Sequence, residues 1–126
     1  MSKGEKFIEN ILIQEGYQYE KEKQFKDMKY KGNLRCDFYI EKYHCGIEID
    51  GEQHLSSPEF WGGEKQTIEN KKRDKIKDNY FINNGLKLIR IPYDKISYIT
   101  ADFLTSKIKA NKFGKIYNIQ NFVFEK

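Results

Sequence analysis

Asp37, Glu48, Asp50 and His54 fall close together in RCDFYIEKYHCGIEIDGEQH, residues 35–54. Asp37 lies in an alternating stretch in which Leu34, Cys36, Phe38 and Ile40 oppose Arg35, Asp37 and Tyr39. Ile47 and Ile49 alternate in the same way with Glu48 and Asp50, and residues 41–44 are short enough to join two such strands as a hairpin. Two paired strands of this pattern bury one apolar face and gather Asp37, Glu48 and Asp50 on the other. Carboxylates held together repel unless a cation sits among them. Ligands that offer only oxygen suit Mg²⁺ or Mn²⁺, which keep waters that a phosphate can displace. The plainer alternative is a solvated outer face. The company of Gly51, where the chain can turn sharply, and of Gln53 and His54 favours the site.

His54 can take a proton from water near neutral pH, since an imidazole has a reference pKa of roughly 6.5. Asp74 stands in the next helical stretch, where a carboxylate can hold the imidazole tautomer; its alternative is an exposed helix residue paired with Lys71 or Lys77. The run KKRDKIKD at 71–78 sets five basic residues against two acidic, a local +3. Arg73 within it, with Arg90 and Gln53, is expected to meet phosphate. Arg90 interrupts the apolar run LKLIRIP and must find a partner, either a site carboxylate or a phosphate.

The elements that must position these residues can be read in order. Residues 2–15 form an amphipathic helix with Phe7, Ile8, Ile11 and Leu12 on one face and Gly16 as its stop; Ser2 and Glu5 have capping-box spacing. Residues 17–25 read as an edge strand and 27–33 as a loop. After the two central strands, residues 55–63 form a loop that carries Pro58 and Trp61, the latter either packed in the core or set against substrate. Residues 64–84 are the longest helix, closed by Asn84-Gly85; 86–92 are a buried strand, 97–110 a further helix, and 118–124 a short strand. A strand, a crossover helix and a strand in succession favour parallel pairing of 46–50 with 86–92. The expected fold is therefore α/β (α+β), a mixed sheet flanked by helices in one domain spanning 1–126, with a core at about 4–93 and a C-terminal helix and tail at 97–126.

The 126 residues and net charge of +4 permit a polyanionic partner without demanding one. No apolar run has the length of a membrane span and no signal-peptide core precedes the first helix, so a cytoplasmic protein without membrane contact is expected. Cys36 and Cys45 read as free thiols, and with His44 and His54 they do not match zinc-finger spacing.

The succession GEKFIENIL, RCDFYI, IEIDGEQH, KRDKIKDNYF and LKLIRIPY resembles the PD-(D/E)XK nuclease superfamily over roughly residues 4–93. The likeness is greatest to its very-short-patch-repair-like branch, which includes the phage EDxHD homing endonucleases. The resemblance implies an αβββαβ restriction-endonuclease-like core and divalent-metal-dependent hydrolysis of DNA. By position it implies that Glu5 is the acid of the first helix, Asp37 the metal-binding aspartate, Glu48 the second acid, His54 the catalytic histidine and Asp74 its partner. Asp50 stands where most members carry the catalytic lysine, so His54 must activate water. The cysteine and histidine set that binds zinc in very-short-patch-repair enzymes is missing, which argues against mismatch repair.

The function expected from sequence is a metal-dependent DNA endonuclease. Asp37, Glu48 and Asp50 would hold Mg²⁺ or Mn²⁺, and His54, Asp74 and Glu5 would serve catalysis. Specificity would come from loops, a homodimer or a separate partner, in a bacterial cell or phage-infected host. The alternatives are a non-catalytic nucleic-acid-binding or interaction protein that keeps the fold, and an RNA nuclease.

Overall fold

The structure is a computed structural model that describes residues 2–51 and 63–124, the side chains of residues 63–66 excepted. The chain runs α1 (Lys3–Gln14), β1 (Glu20–Lys29), β2 (Asn33–Ile40), β3 (Cys45–Asp50), α2 (Gly63–Asn83), β4 (Lys87–Pro92), α3 (Ala101–Ile108) and β5 (Lys115–Asn118). The strands lie in one five-stranded mixed sheet in the order β1-β2-β3-β4-β5. The first three pair antiparallel, and β3–β4 and β4–β5 pair parallel. The αβββαβ order and the parallel β3–β4 pair agree with the sequence reading.

Both faces of the sheet are covered. Ile8, Ile11 and Leu12 of α1 and Leu104 and Ile108 of α3 pack on Phe38, Ile47, Ile89 and Ile91. On the other face Phe81 of α2 packs with Met28, Leu34, Cys36, Tyr39 and Leu88. Every residue of β4 is buried, as expected for a central parallel strand. Alternation assigns Gly46, Glu48 and Arg90 to the α2 face. Cys36 and Cys45 are buried and free. Among the described residues no helix is long and apolar enough to cross a membrane.

The expected single alternation of β2 fails at Asp37. Leu34 and Cys36 belong to the α2 side, whereas Phe38 and Ile40 belong to the α1 side. The β2–β3 ladder runs only from Phe38↔Ile47 to Ile40↔Cys45. Beyond it, Asp37 Oδ2 accepts the Ile49 N–H at 2.8 Å, so a side chain takes the place of a ladder carbonyl. A slip of one residue moves later side chains to the opposite face.

Other boundaries shift for local reasons. β1 continues to Lys29 instead of ending at Phe25, because a register shift between Gln24 and Lys29 breaks the alternation while Met28 stays buried. The helix expected at 97–110 divides into a 3₁₀ segment at Tyr93–Tyr98 and α3, whose start is fixed by Thr100 accepting the Phe103 N–H. The last strand is Lys115–Asn118, not 118–124; the Asn118 side chain accepts from the Gln120 N–H and turns the chain into a 3₁₀ segment. Residues 41–44 form the expected connection, a 3₁₀ turn closed by His44 at φ 50°. Lys87, 4% exposed, donates from Nζ to the Ile108 and Ala110 carbonyls and so closes the end of α3.

Gly46 sets how closely α2 approaches the sheet. A Cβ there would lie 2.7 Å from Cys36 Sγ and 2.7 Å from the nearest Phe81 ring carbon, and neither neighbour has any exposure through which to retreat. Gly46→Ala is expected to cost about 1–3 kcal/mol through overpacking, read as a lower urea midpoint with an unchanged slope. An unchanged midpoint would show that the helix can lift without loss.

Candidate acidic cleft

Glu48 and Arg90 are register partners on β3 and β4 under α2, and are only 5% and 6% exposed. Each is met by a charge from the helix. Lys77 Nζ lies 2.6 Å from Glu48 Oε1, and Arg90 Nη1 donates to Asp78 Oδ1 at 2.7 Å. Arg90 Nη2 lies 4.0 Å from Asp74 Oδ1, and its Nε and Nη2 have no hydrogen-bond partner among the described residues. Residues 70, 74, 77 and 78 recur at helical spacing, so one face of α2 carries this set. Phe81, one turn beyond Lys77, rests on Gly46, two residues before Glu48 on β3. The close packing at Gly46 is thus what brings Lys77 to Glu48.

Two groups of carboxylates result. Glu48, Asp50 and Asp74 offer oxygens within 4.8 Å of one another, and so do Glu5, Glu22 and Asp37. Asp37, Glu48, Asp50, Arg73, Asp74 and Lys77 line one polar cleft of about 170 Å³. Glu22 reaches its place from φ 53°, a conformation that side chains rarely adopt. A larger cleft of about 630 Å³ lies at the other end of β3, among Tyr17, Tyr19, Tyr39 and Tyr43. Among the described residues it contains no group of three converging carboxylates, whereas the smaller one contains Glu48, Asp50 and Asp74.

Burial governs the charges here. It pushes the Asp37 carboxyl up to about 7, helped by repulsion from Glu48 and Glu5 and opposed by the Ile49 N–H and Lys77. It also raises Glu48 above the ordinary glutamate range, against the attraction of Lys77 and Arg90. Burial first, and then the Glu48 and Asp37 charges, lift the Cys36 thiol well above its usual value, so this cysteine is no nucleophile.

The sequence-derived residues can now be placed. Asp37, Glu48 and Asp50 share the cleft as expected, but Asp50 groups with Asp74 and Asp37 with Glu5 and Glu22. Glu5 makes the capping contacts expected of it and also lies near Asp37. Its N–H donates to Ser2 Oγ and its carboxylate accepts the Ser2 hydroxyl, while its oxygens also approach Asp37 and Glu22. Arg90 has taken the carboxylate partner, since it is enclosed and paired to Asp78. Arg73 lines the cleft and donates to Asn70 Oδ1. Gln53, His54 and most of the loop at 55–63 lie outside the described residues. Lys77, read from sequence only as a partner for Asp74, instead reaches Glu48, and Asp78 was missed. Their placement three and four residues after Asp74 was the available signal.

No family model matches the chain, and no solved structure matches it. It is similar to "Uncharacterized protein 033L" of Invertebrate iridescent virus 3, at 33% identity over 79 residues. The match covers 61% of this chain and 40% of that protein, so the chain spans well under half of its relative.

Asp37 yields a pH prediction. Its folded pKa of about 7 lies above the ordinary aspartate value of 3.8, so the folded state keeps a proton that the unfolded chain has released. Its contribution to stability therefore falls as pH rises from about 4 to about 7, and is flat beyond. In EDTA, Asp37→Asn is expected to match the parent near pH 4 and exceed it by on the order of a few kcal/mol at pH 8 in urea unfolding. Parallel pH curves for the two proteins would contradict the burial assignment.

Proposed function

We propose that the protein is a divalent-metal-dependent endonuclease that hydrolyses DNA phosphodiesters, and that it belongs with the PD-(D/E)XK nucleases its sequence resembles. The observation that carries the reading is the convergence of Glu48, Asp50 and Asp74 in a polar cleft beside Lys77. The donor set fits a hard cation. It offers oxygen ligands only, and burial leaves Asp37 and Glu48 short of the water that would otherwise balance their charge.

Mg²⁺ or Mn²⁺ bound there would polarise the scissile phosphate. The chain's own residues would do the rest. His54 would accept a proton from the attacking water, which bonds to phosphorus as the leaving sugar oxygen departs. Lys77 would place positive charge where the phosphate gains negative charge. This lysine offers, from the helix, the cation that the resemblance places on the strand at Asp50. Asp74 lies with Glu48 and Asp50, and would serve either as a ligand beside them or as the partner of His54 that the resemblance implies. Glu5 and Glu22 would offer further carboxylate oxygens beside Asp37, and Arg90 would hold Asp74 and Asp78 as an internal counter-ion.

The test is nicking of supercoiled plasmid with Mg²⁺ or Mn²⁺ and with EDTA. Cleavage should require the metal, and should fall roughly 10²-fold or more in Glu48→Gln, Lys77→Met and His54→Ala. Circular dichroism would establish that each variant remains folded. Variants that cut like the parent would show the nicking to be a contaminant and the site to be wrong.

A further inference from the structure

A cluster of like charges lies beside the acidic cleft and serves none of the chemistry above. The β1–β2 turn is tight, with the Tyr30 N–H donating to the Gly32 carbonyl at 2.9 Å and Lys31 held at φ 55°. Left-handed backbone at a lysine is strained, and it persists only where surrounding contacts fix it. Here they do. The Tyr30 hydroxyl donates to Glu69 Oε2 of α2 at 2.8 Å, and Lys31 Nζ lies 3.3 Å from the same oxygen.

The Tyr30 ring holds two cations at once. Lys31 Nζ is 5.4 Å and Arg73 Cζ is 5.7 Å from its centroid. Lys72 lies close enough to Glu69 to act on its carboxylate as well. Three cations thus gather around one ring and one carboxylate, and the Lys31 side chain is still 66% exposed. One carboxylate, Glu69, faces three positive charges at the surface. A polyanion crossing the surface would meet that excess and release its counter-ions. Arg73 also lines the acidic cleft, so the cationic surface begins where the cleft ends.

We infer that the Tyr30–Lys31 turn, docked on α2 with Lys72 and Arg73, is a saddle that grips the phosphate backbone of duplex DNA next to the bond being cut. The inference rests on the nuclease reading for its substrate. Its own content is the place where the backbone is held.

The experiment measures binding of a short labelled DNA duplex to the full chain by fluorescence anisotropy, in EDTA, across about 50–200 mM salt. The parent is compared with Lys31→Ser/Lys72→Ser, and with Lys42→Ser/Lys109→Ser, which removes the two lysines around Tyr43 at the far cleft. The saddle variant should bind about tenfold more weakly or worse at low salt, with a log–log salt slope shallower by about 2. The far variant should keep the parental slope. Equal losses in both variants, equal binding in all three proteins, or no binding by the parent would each overturn the saddle. So would a stronger, saddle-dependent grip on an RNA duplex of the same sequence. A parent that binds through the saddle but never nicks plasmid would sink the nuclease reading alone. A parent that nicks, with both variants binding as it does, would sink the saddle alone.

Discussion

The fold depends on keeping a carboxylate, Glu48, almost wholly out of water on a central strand of the sheet. Desolvating such a group is expensive, and removing the partner of a buried pair costs roughly 3–5 kcal/mol. The neighbouring charges answer this one. Lys77 closes on Glu48 directly, while Arg90, opposite in register, is balanced by Asp78 and Asp74 from the same helix. Replacing all of them with apolar residues would fill the same layer without any desolvation. A sheet that buries Glu48 and Arg90, and holds Lys77, Asp74 and Asp78 half-buried against them, carries charges that stability alone does not require, and that is the physical ground for the site proposed there.

The scaffold was legible because its signals were local. The apolar run of β4, the capped first helix and the strand–helix–strand succession each determine one element, and the right-handed crossover rule relates them. What the sequence concealed were consequences of contact. The slip at Asp37 leaves the residue types of β2 unchanged, and only the bond to the Ile49 N–H shows that the alternation is interrupted. Asn118 ends β5 through its own side chain, where an apolar pattern reader continues to Phe124.

The acids of the cleft were readable as types, but not in their groupings. Alternation placed Asp37, Glu48 and Asp50 together, whereas the structure divides them between two trios completed by Asp74 and by Glu5 with Glu22. Glu22 carried no signal, because it sits in a charged edge strand among residues of its own kind. Lys77 looked like one more lysine in a solvated run until the depth of the helix was known. That depth is set by an uncharged glycine two residues before Glu48, at which Phe81 rests directly on the strand.

Helix α2 therefore has two faces with different tasks. The inner one meets Glu48 and Arg90 with charges matched one to one, in a layer where an unmatched charge would be intolerable. The outer one gathers Lys31, Lys72 and Arg73 around the single carboxylate of Glu69, at a surface where water and salt can screen the excess. Arg73 stands at the boundary, bonded to Asn70 on the cleft side and placed over Tyr30 on the other. A phosphate chain drawn to this cationic surface would be led past this residue to the cleft, where a cation could stand between it and Glu48, Asp50 and Asp74. On the proposed reading, attraction along the surface and repulsion at the cleft mouth would act in sequence, and a cation bound among the acids would relieve the second.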